Sequence, residues 1–139
     1  MPPTGSFLLD TNIVIALLAA EQSVVDHLAA AEAVYLSAIV LGELHYGARQ
    51  SARADENLAR PRAMAGATAV LNCDSETAER YGHVKARLRA KGTPIPENDL
   101  WIAALAVQHD LTVASRDVHF DLVPGLVRAT WAESPATPP

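Results

Sequence analysis

Cys73 is the only cysteine among 139 residues. No internal disulfide and no thiolate metal cluster can be built from it. A lone cysteine is expected to be a small buried hydrophobe rather than a nucleophile. Apolar runs are also short. None reaches the roughly 18 residues that cross a bilayer, so no membrane partner is expected. The opening residues, Met-Pro-Pro-Thr-Gly-Ser, lack the basic stretch of a secretory leader. A reducing cytoplasm is therefore the expected compartment. Positive charge is in deficit, with sixteen acids against eleven bases and a formal net charge of -5. Taken alone, that balance argues against nucleic acid as a partner. The bases are clustered, however: Arg80, Lys85, Arg87, Arg89 and Lys91 fall close together. If several acids serve a bound cation, the remaining surface is closer to neutral.

Apolar residues make up 50% of the chain, enough to fill the core of one compact domain. That domain is expected over residues 1–133, with 134–139 as a disordered tail. Short apolar segments, "SFLLD", "VYLS", "TAVLN", "LTVAS" and "LVRAT", read as five strands. Helical patterns lie between them. Asn12, Ser37, Asp74 or Ser75, and Asn98 are candidate helix N-caps, and Gly92 is a candidate stop. The Arg60-Pro61 step is expected to kink or break its helix. Strands alternating with helices make an α/β fold with a mainly parallel sheet, covered on both faces. Sites in such sheets form outside the carboxyl ends of the strands.

The acids follow that logic. In "FLLDTNIVIALL", Asp10 falls where the first strand becomes a helix. Asp117 lies just past the fourth strand, at the same edge. Asp99 begins a helix after a two-proline loop. Glu43 sits in the apolar helix "AIVLGEL", where an unpaired charge is costly to bury. Singly, each has an ordinary explanation: a strand-end acid, a helix N-terminal acid, a turn residue, a side chain reaching solvent. Together they form converging carboxylates, which repel one another unless a cation is present. An all-oxygen ligand set favours Mg²⁺, or Mn²⁺, over zinc.

At these residues the chain resembles the PIN-domain ribonucleases of the VapC toxin type, from toxin–antitoxin pairs. The matching pieces are "LLDTNIVIALL", "LSAIVLGELHYGA", "IPENDLWIAALAVQHDLTVASRD" and "HFDLVPGL", in order over most of the chain. The resemblance implies a three-layer α/β/α sandwich with about five strands, an acidic metal site, and hydrolysis of single-stranded or looped RNA. It further implies a cognate antitoxin and a homodimer. The family acids correspond to Asp10, Glu43, Asp99 and Asp117. Thr11 and Asn12 match the pair that follows the first acid. Ser115 and Arg116 precede the last acid as candidate supporting or substrate residues. One departure lies in "SRDVHF", where His119 stands at a position that often carries a further Asp. It is either a weak metal or phosphate contact or a surface residue.

Phosphodiester hydrolysis needs an activated water, neutralised phosphoryl oxygens and a stabilised leaving group. Asp10, Asp99 and Asp117 are the expected ligands. Glu43 is expected to hold a second ion or orient the water, and Thr11 to fix Asp10 through its hydroxyl. Arg116 is a candidate phosphate contact, and so is the Arg80, Arg87 and Lys91 face. Trp101 is expected to pack rather than stack on a base. An apolar surplus at Val14, Leu17, Leu18, Leu44, Tyr46 and Ala48 offers a groove for an antitoxin segment. The rivals fit less well. A haloacid-dehalogenase-like phosphatase wants Asp-x-Asp, and position 12 is Asn. A response-regulator receiver wants paired acids at strand one and a late Lys. A PIN scaffold that binds RNA or protein without turnover is the alternative from outside enzymology.

Overall fold

The computed structural model describes residues 5–132. The tail expected at 134–139 lies outside them. Elements run β1 (Ser6–Leu9), α1 (Thr11–Leu18), α2 (Gln22–Ala30), β2 (Ala33–Ser37), α3 (Ala38–Arg49), α4 (Ala54–Ala67) and β3 (Ala69–Leu71). They continue with α5 (Ser75–Ala90), α6 (Glu97–Gln108), β4 (Thr112–Ala114), a short 3-10 helix (Val118–Leu122) and β5 (Arg128–Ala129). All ladders are parallel, in the order β3-β2-β1-β4-β5. Helices cover both faces, giving the expected three-layer α/β/α sandwich.

The central strand explains the opening motif. Phe7, Leu8 and Leu9 are all buried because β1 has a neighbour on each side and helices above and below. A strand buried on both faces reads as an apolar run without alternation. β1 pairs with β2 on one side and with β4 on the other. The chain therefore leaves β1 in one direction and returns on its opposite flank much later. The crevice above the β1–β4 boundary is a topological switch point, where ligands bind in open α/β sheets.

Local signals explain most element boundaries. The Ser37 hydroxyl, fully buried, accepts from the Val40 N–H at 3.1 Å and caps α3. Asp74 and Thr77 form a reciprocal capping box on α5, and Gln108 of α6 donates to Asp74 at 3.0 Å. Gly92, at φ +73°, ends α5 as expected, in a region other residues resist.

Four expectations need correction. Asp10 rather than Asn12 caps α1: its side chain accepts from the Thr11 N–H, and its carbonyl accepts from Ile13 and Val14. Strand passes into helix without a spacer, which frees Asn12 for other bonds. Asn98 is not a cap either. Helix α6 starts at Glu97, straight after Pro96, and Pro lacks only an N–H that a helix start leaves unpaired anyway. Pro61 does not break α4, which runs through it. Pro61 and Leu58 are buried, and α4 packs on α3, which offsets the lost bond. Cys73 is exposed rather than buried. What burial it has, together with the Asp74 carboxylate, raises the thiol's pKa and keeps it a poor nucleophile.

The Ser37 cap sets where the helix bearing Glu43 begins. Ser37→Ala is expected to lower the unfolding free energy by about 1 kcal/mol. Chemical denaturation reads this directly, and an unchanged midpoint would show that the hydroxyl contributes nothing to α3.

Candidate metal centre

Asp10 is held at the top of β1 by three donors. Thr11 N–H reaches Oδ1 at 2.8 Å, while the Ser115 hydroxyl at 2.6 Å and the Asn12 amide at 3.3 Å reach Oδ2. Only 5% of Asp10 is exposed, and burial pushes its carboxyl above the ordinary range. The Ser115 and Thr11 donors pull the other way, and Glu43 and Asp117 add repulsion.

The Ser115 hydroxyl is the pivot of the site. It donates to Asp10 and accepts from the Asp117 N–H at 2.9 Å. Asn12 adds a second bridge, donating to Ser115 Oγ at 3.3 Å and accepting from the Arg116 N–H at 3.2 Å. Behind them, Arg128 donates to the Ser115 carbonyl at 3.1 Å and grips Asp121 through two nitrogens. The loop after β4 is thus tied to the end of β1 on one side and to β5 on the other.

Asp99 occupies the first turn of α6, as the third helical residue rather than the first. Its carboxyl is pushed up to about 6, first by burial, then by the negative charges of Asp117 and Asp10. When protonated it donates to Asp117. Asp117 shifts the other way. Partial burial raises it, but the His119 N–H at 2.9 Å and the imidazole beside it outweigh that effect. Two neighbouring carboxylates driven apart in this manner mark a site short of positive charge.

Glu43 stands slightly apart. Its Oε1 accepts from the Thr11 hydroxyl at 2.7 Å. It lines an open cleft of ≈ 650 Å³ with Thr11, Ala38, Ile39, Gly42, Tyr46 and Asn98. Among the described residues, the atoms close enough to share one ion belong to Asp99, Asp117 and His119, all within 4.8 Å of one another. Asp10 and Glu43 border that cluster as charged neighbours.

Several supporting residues sit differently from expectation. The Thr11 hydroxyl serves Glu43, and Thr11 fixes Asp10 through its backbone instead. Asn12 is a bridge, not a cap. Arg116 turns its guanidinium away from the acids, onto Glu21 at 2.8 Å and the Trp131 carbonyl at 3.4 Å. On α5, Arg80 pairs with Glu76, and Arg87 and Lys91 face solvent. Trp101 packs, as expected, stacked on Tyr81 with ring centres 4.0 Å apart. Arg128 had no signal in the sequence, since a lone base in a predicted strand reads as surface. Among the described residues, no single helix is long and apolar enough to cross a membrane.

The raised Asp99 carboxyl makes stability depend on pH. Between its ordinary value of 3.8 and about 6, the folded protein binds more protons there than the unfolded chain. Stability from this group is full below that window and is lost as pH rises through it. With chelator present, Asp99→Asn is therefore expected to melt above wild type at about pH 7.5, with the advantage fading towards about pH 4. A mutant that melts no higher at the upper pH would show that Asp99 is not held against its neighbours.

Comparison with known proteins agrees with this picture. Residues 7–126 match the PIN domain family. Ribonuclease VapC of Haemophilus influenzae is 31% identical over 130 residues, covering 90% of this chain and 97% of its own. The tRNA(fMet)-specific endonuclease VapC of Salmonella typhimurium is 34% identical over 97 residues, 69% of this chain and 74% of its own. The crystal structure of DNA-bound VapBC from Salmonella typhimurium superimposes with a TM-score of 0.82 at 29% identity, covering 91% of this chain and 98% of that one. Matched over most of its length by the family model and by these relatives, the chain belongs to the PIN-domain family and, within it, to the VapC-type toxins.

Proposed function

We propose that this protein is a Mg²⁺-dependent endoribonuclease toxin, with Mn²⁺ able to substitute, acting on single-stranded or looped RNA. The observation that carries the reading is the Asp99–Asp117 pair, with Asp10 beside it. These are carboxylates gathered at a switch point with their proton affinities driven apart. One imidazole, His119, is set against three acids here, fewer bases than a structural ion-pair network would bring. The donor set fits a hard divalent cation. A bound divalent ion would neutralise the phosphoryl oxygens and make a water acidic enough to attack.

In this reading Asp10, Asp99 and Asp117 hold the ion. Ser115 and Asn12 keep Asp10 and the Asp117 backbone in register. Glu43 orients the attacking water and takes its proton. Thr11 occupies one carboxylate oxygen of Glu43 and leaves the other free for that task. Water then attacks phosphorus as the bond to one ribose oxygen breaks, and that oxygen leaves as a hydroxyl, protonated from solvent. The open cleft beside Glu43 admits an unpaired strand, which suits an extruded or looped nucleotide. Transfer RNA is the first substrate to try, since a relative with 34% identity is a tRNA(fMet)-specific endonuclease.

A cognate antitoxin and a homodimer, in the cytoplasm, complete the proposal. A groove of ≈ 240 Å³ runs between α1, α3 and α4, lined by Ile15, Leu18, Leu44, Gly47, Ala48 and Pro61. Its rim differs from the sequence expectation. Val14 is fully buried and Ile15, 56% exposed, takes its place, while Leu18 is exposed as expected. An amphipathic helix laid in this groove would bring a basic side chain to Glu43.

Two measurements test the proposal. Asp10→Asn and Asp99→Asn are each expected to cut metal-dependent RNA cleavage by roughly a hundredfold or more, with the fold retained. Full cleavage in either variant would sink the site. Wild-type protein that binds the ion and RNA without cleaving would favour the binding scaffold instead. Separately, Ile15→Asp is expected to keep cleavage while the neighbouring gene's protein inhibits it about tenfold less. Undiminished inhibition would place the antitoxin elsewhere.

A further inference from the structure

The 3-10 helix after β4 turns an imidazole into the acid cluster. His119 Nδ1 lies 2.9 Å from Asp117 Oδ1 and 3.5 Å from Asp99 Oδ2. That nitrogen is buried and has no hydrogen bond of acceptable geometry among the described residues. Buried polar atoms are rarely left so, and each one calls for a reason. The rest of the ring is accessible, since 44% of the side chain is exposed. Nδ1 thus stands between the two carboxylates while the far side of the ring stays open to solvent.

The spacing suits a shared cation. Ligands at adjacent corners of an octahedron with bonds of about 2.1 Å stand about 3 Å apart, and opposite ligands about 4.2 Å. The Nδ1 to Asp117 and Nδ1 to Asp99 separations fall at or near the adjacent-corner value, and all three atoms lie within 4.8 Å of one another. The His119 backbone N–H also bonds Asp117 Oδ1 at 2.9 Å. Ring and carboxylate are thus fixed to one another before any ion arrives.

We infer that His119 is a nitrogen ligand of the site's divalent ion and raises its affinity for Mn²⁺ relative to Mg²⁺, compared with an all-oxygen site. The inference rests on the proposed metal-dependent reading of the same site. Mg²⁺ prefers an oxygen shell and gives up water reluctantly, whereas Mn²⁺ accepts imidazole beside carboxylates. His119 thus converts an all-oxygen site into a mixed one.

The test uses the whole protein with Mn²⁺ alone, followed by electron paramagnetic resonance. Bound Mn²⁺ is expected to show nitrogen hyperfine coupling from a directly ligating imidazole. His119→Ala should abolish that coupling and weaken Mn²⁺ binding by about tenfold or more, while Mg²⁺ binding measured by competition changes far less. His119→Asp should remove the coupling and shift the preference towards Mg²⁺. Tight Mn²⁺ binding that depends on Asp99 but carries no nitrogen coupling would overturn the role of His119 and leave the acidic metal site standing. Mn²⁺ binding indifferent to Asp99→Asn would overturn the metal reading, and this inference with it.

Discussion

Everything at the top of the sheet depends on one hydroxyl. Ser115 donates to a buried carboxylate of β1 and accepts from the backbone N–H of the next acid. The first of these bonds spans 105 residues of chain, and together they fix the relative height of the β1 and β4 ends. A hydroxyl can do this because it is donor and acceptor at once. An alanine there would strip the buried acid of its shortest donor and leave the loop N–H of Asp117 without its hydroxyl partner, each carrying a desolvation penalty. Arg128 secures the same residue from behind, through its carbonyl. The loop carrying Asp117 and His119 therefore has little freedom to move away from Asp10.

The electrostatics follow from that rigidity. In a soft loop, repelling carboxylates would swing apart into water. Here the backbone holds them, and the strain emerges as displaced proton affinities instead. Asp99 takes the largest rise because α6 packs it against the crevice wall with Asp117 and Asp10 alongside. Asp117 escapes because an N–H and an imidazole face it. A divalent ion suits such a site, since it satisfies several acids at once where protons satisfy them singly.

Much of this was legible in the sequence. β1 announced itself as an unbroken apolar run, and its length placed Asp10 at the strand end. Alternating strands and helices predicted the parallel sheet, and the sheet predicted the edge where acids gather. The Ser37 and Asp74 caps and the Gly92 stop were readable because their chemistry is local. The failures were failures of partner choice. Thr11, Asn12 and Arg116 all lie near Asp10 or Asp117 in sequence, and local reading suggested a hydroxyl fixing Asp10, a helix cap and a phosphate contact respectively. In the fold, Thr11 meets a residue of α3, Asn12 spans to the β4 loop, and Arg116 meets Glu21 at the start of α2. Pro61 misled because the penalty for proline is local, while the compensation comes from α3. His119 was ambiguous because its register decides only whether it can reach the acids, not whether another partner has claimed it.

The strand order has a temporal side. The centre of the sheet is made first, but its flank on the β4 side is empty until residues 112–114 have been synthesised. A nascent chain that stops short of Thr112 has no β4, no Ser115 anchor for Asp10 and no Asp117. The crevice cannot exist on such a fragment, however well β1, β2 and β3 have assembled. Under the proposed function, a nascent chain thus stays harmless until β4 and the loop after it have emerged. On that reading the acid-lined crevice forms late and all at once, when one short strand slides in beside the first.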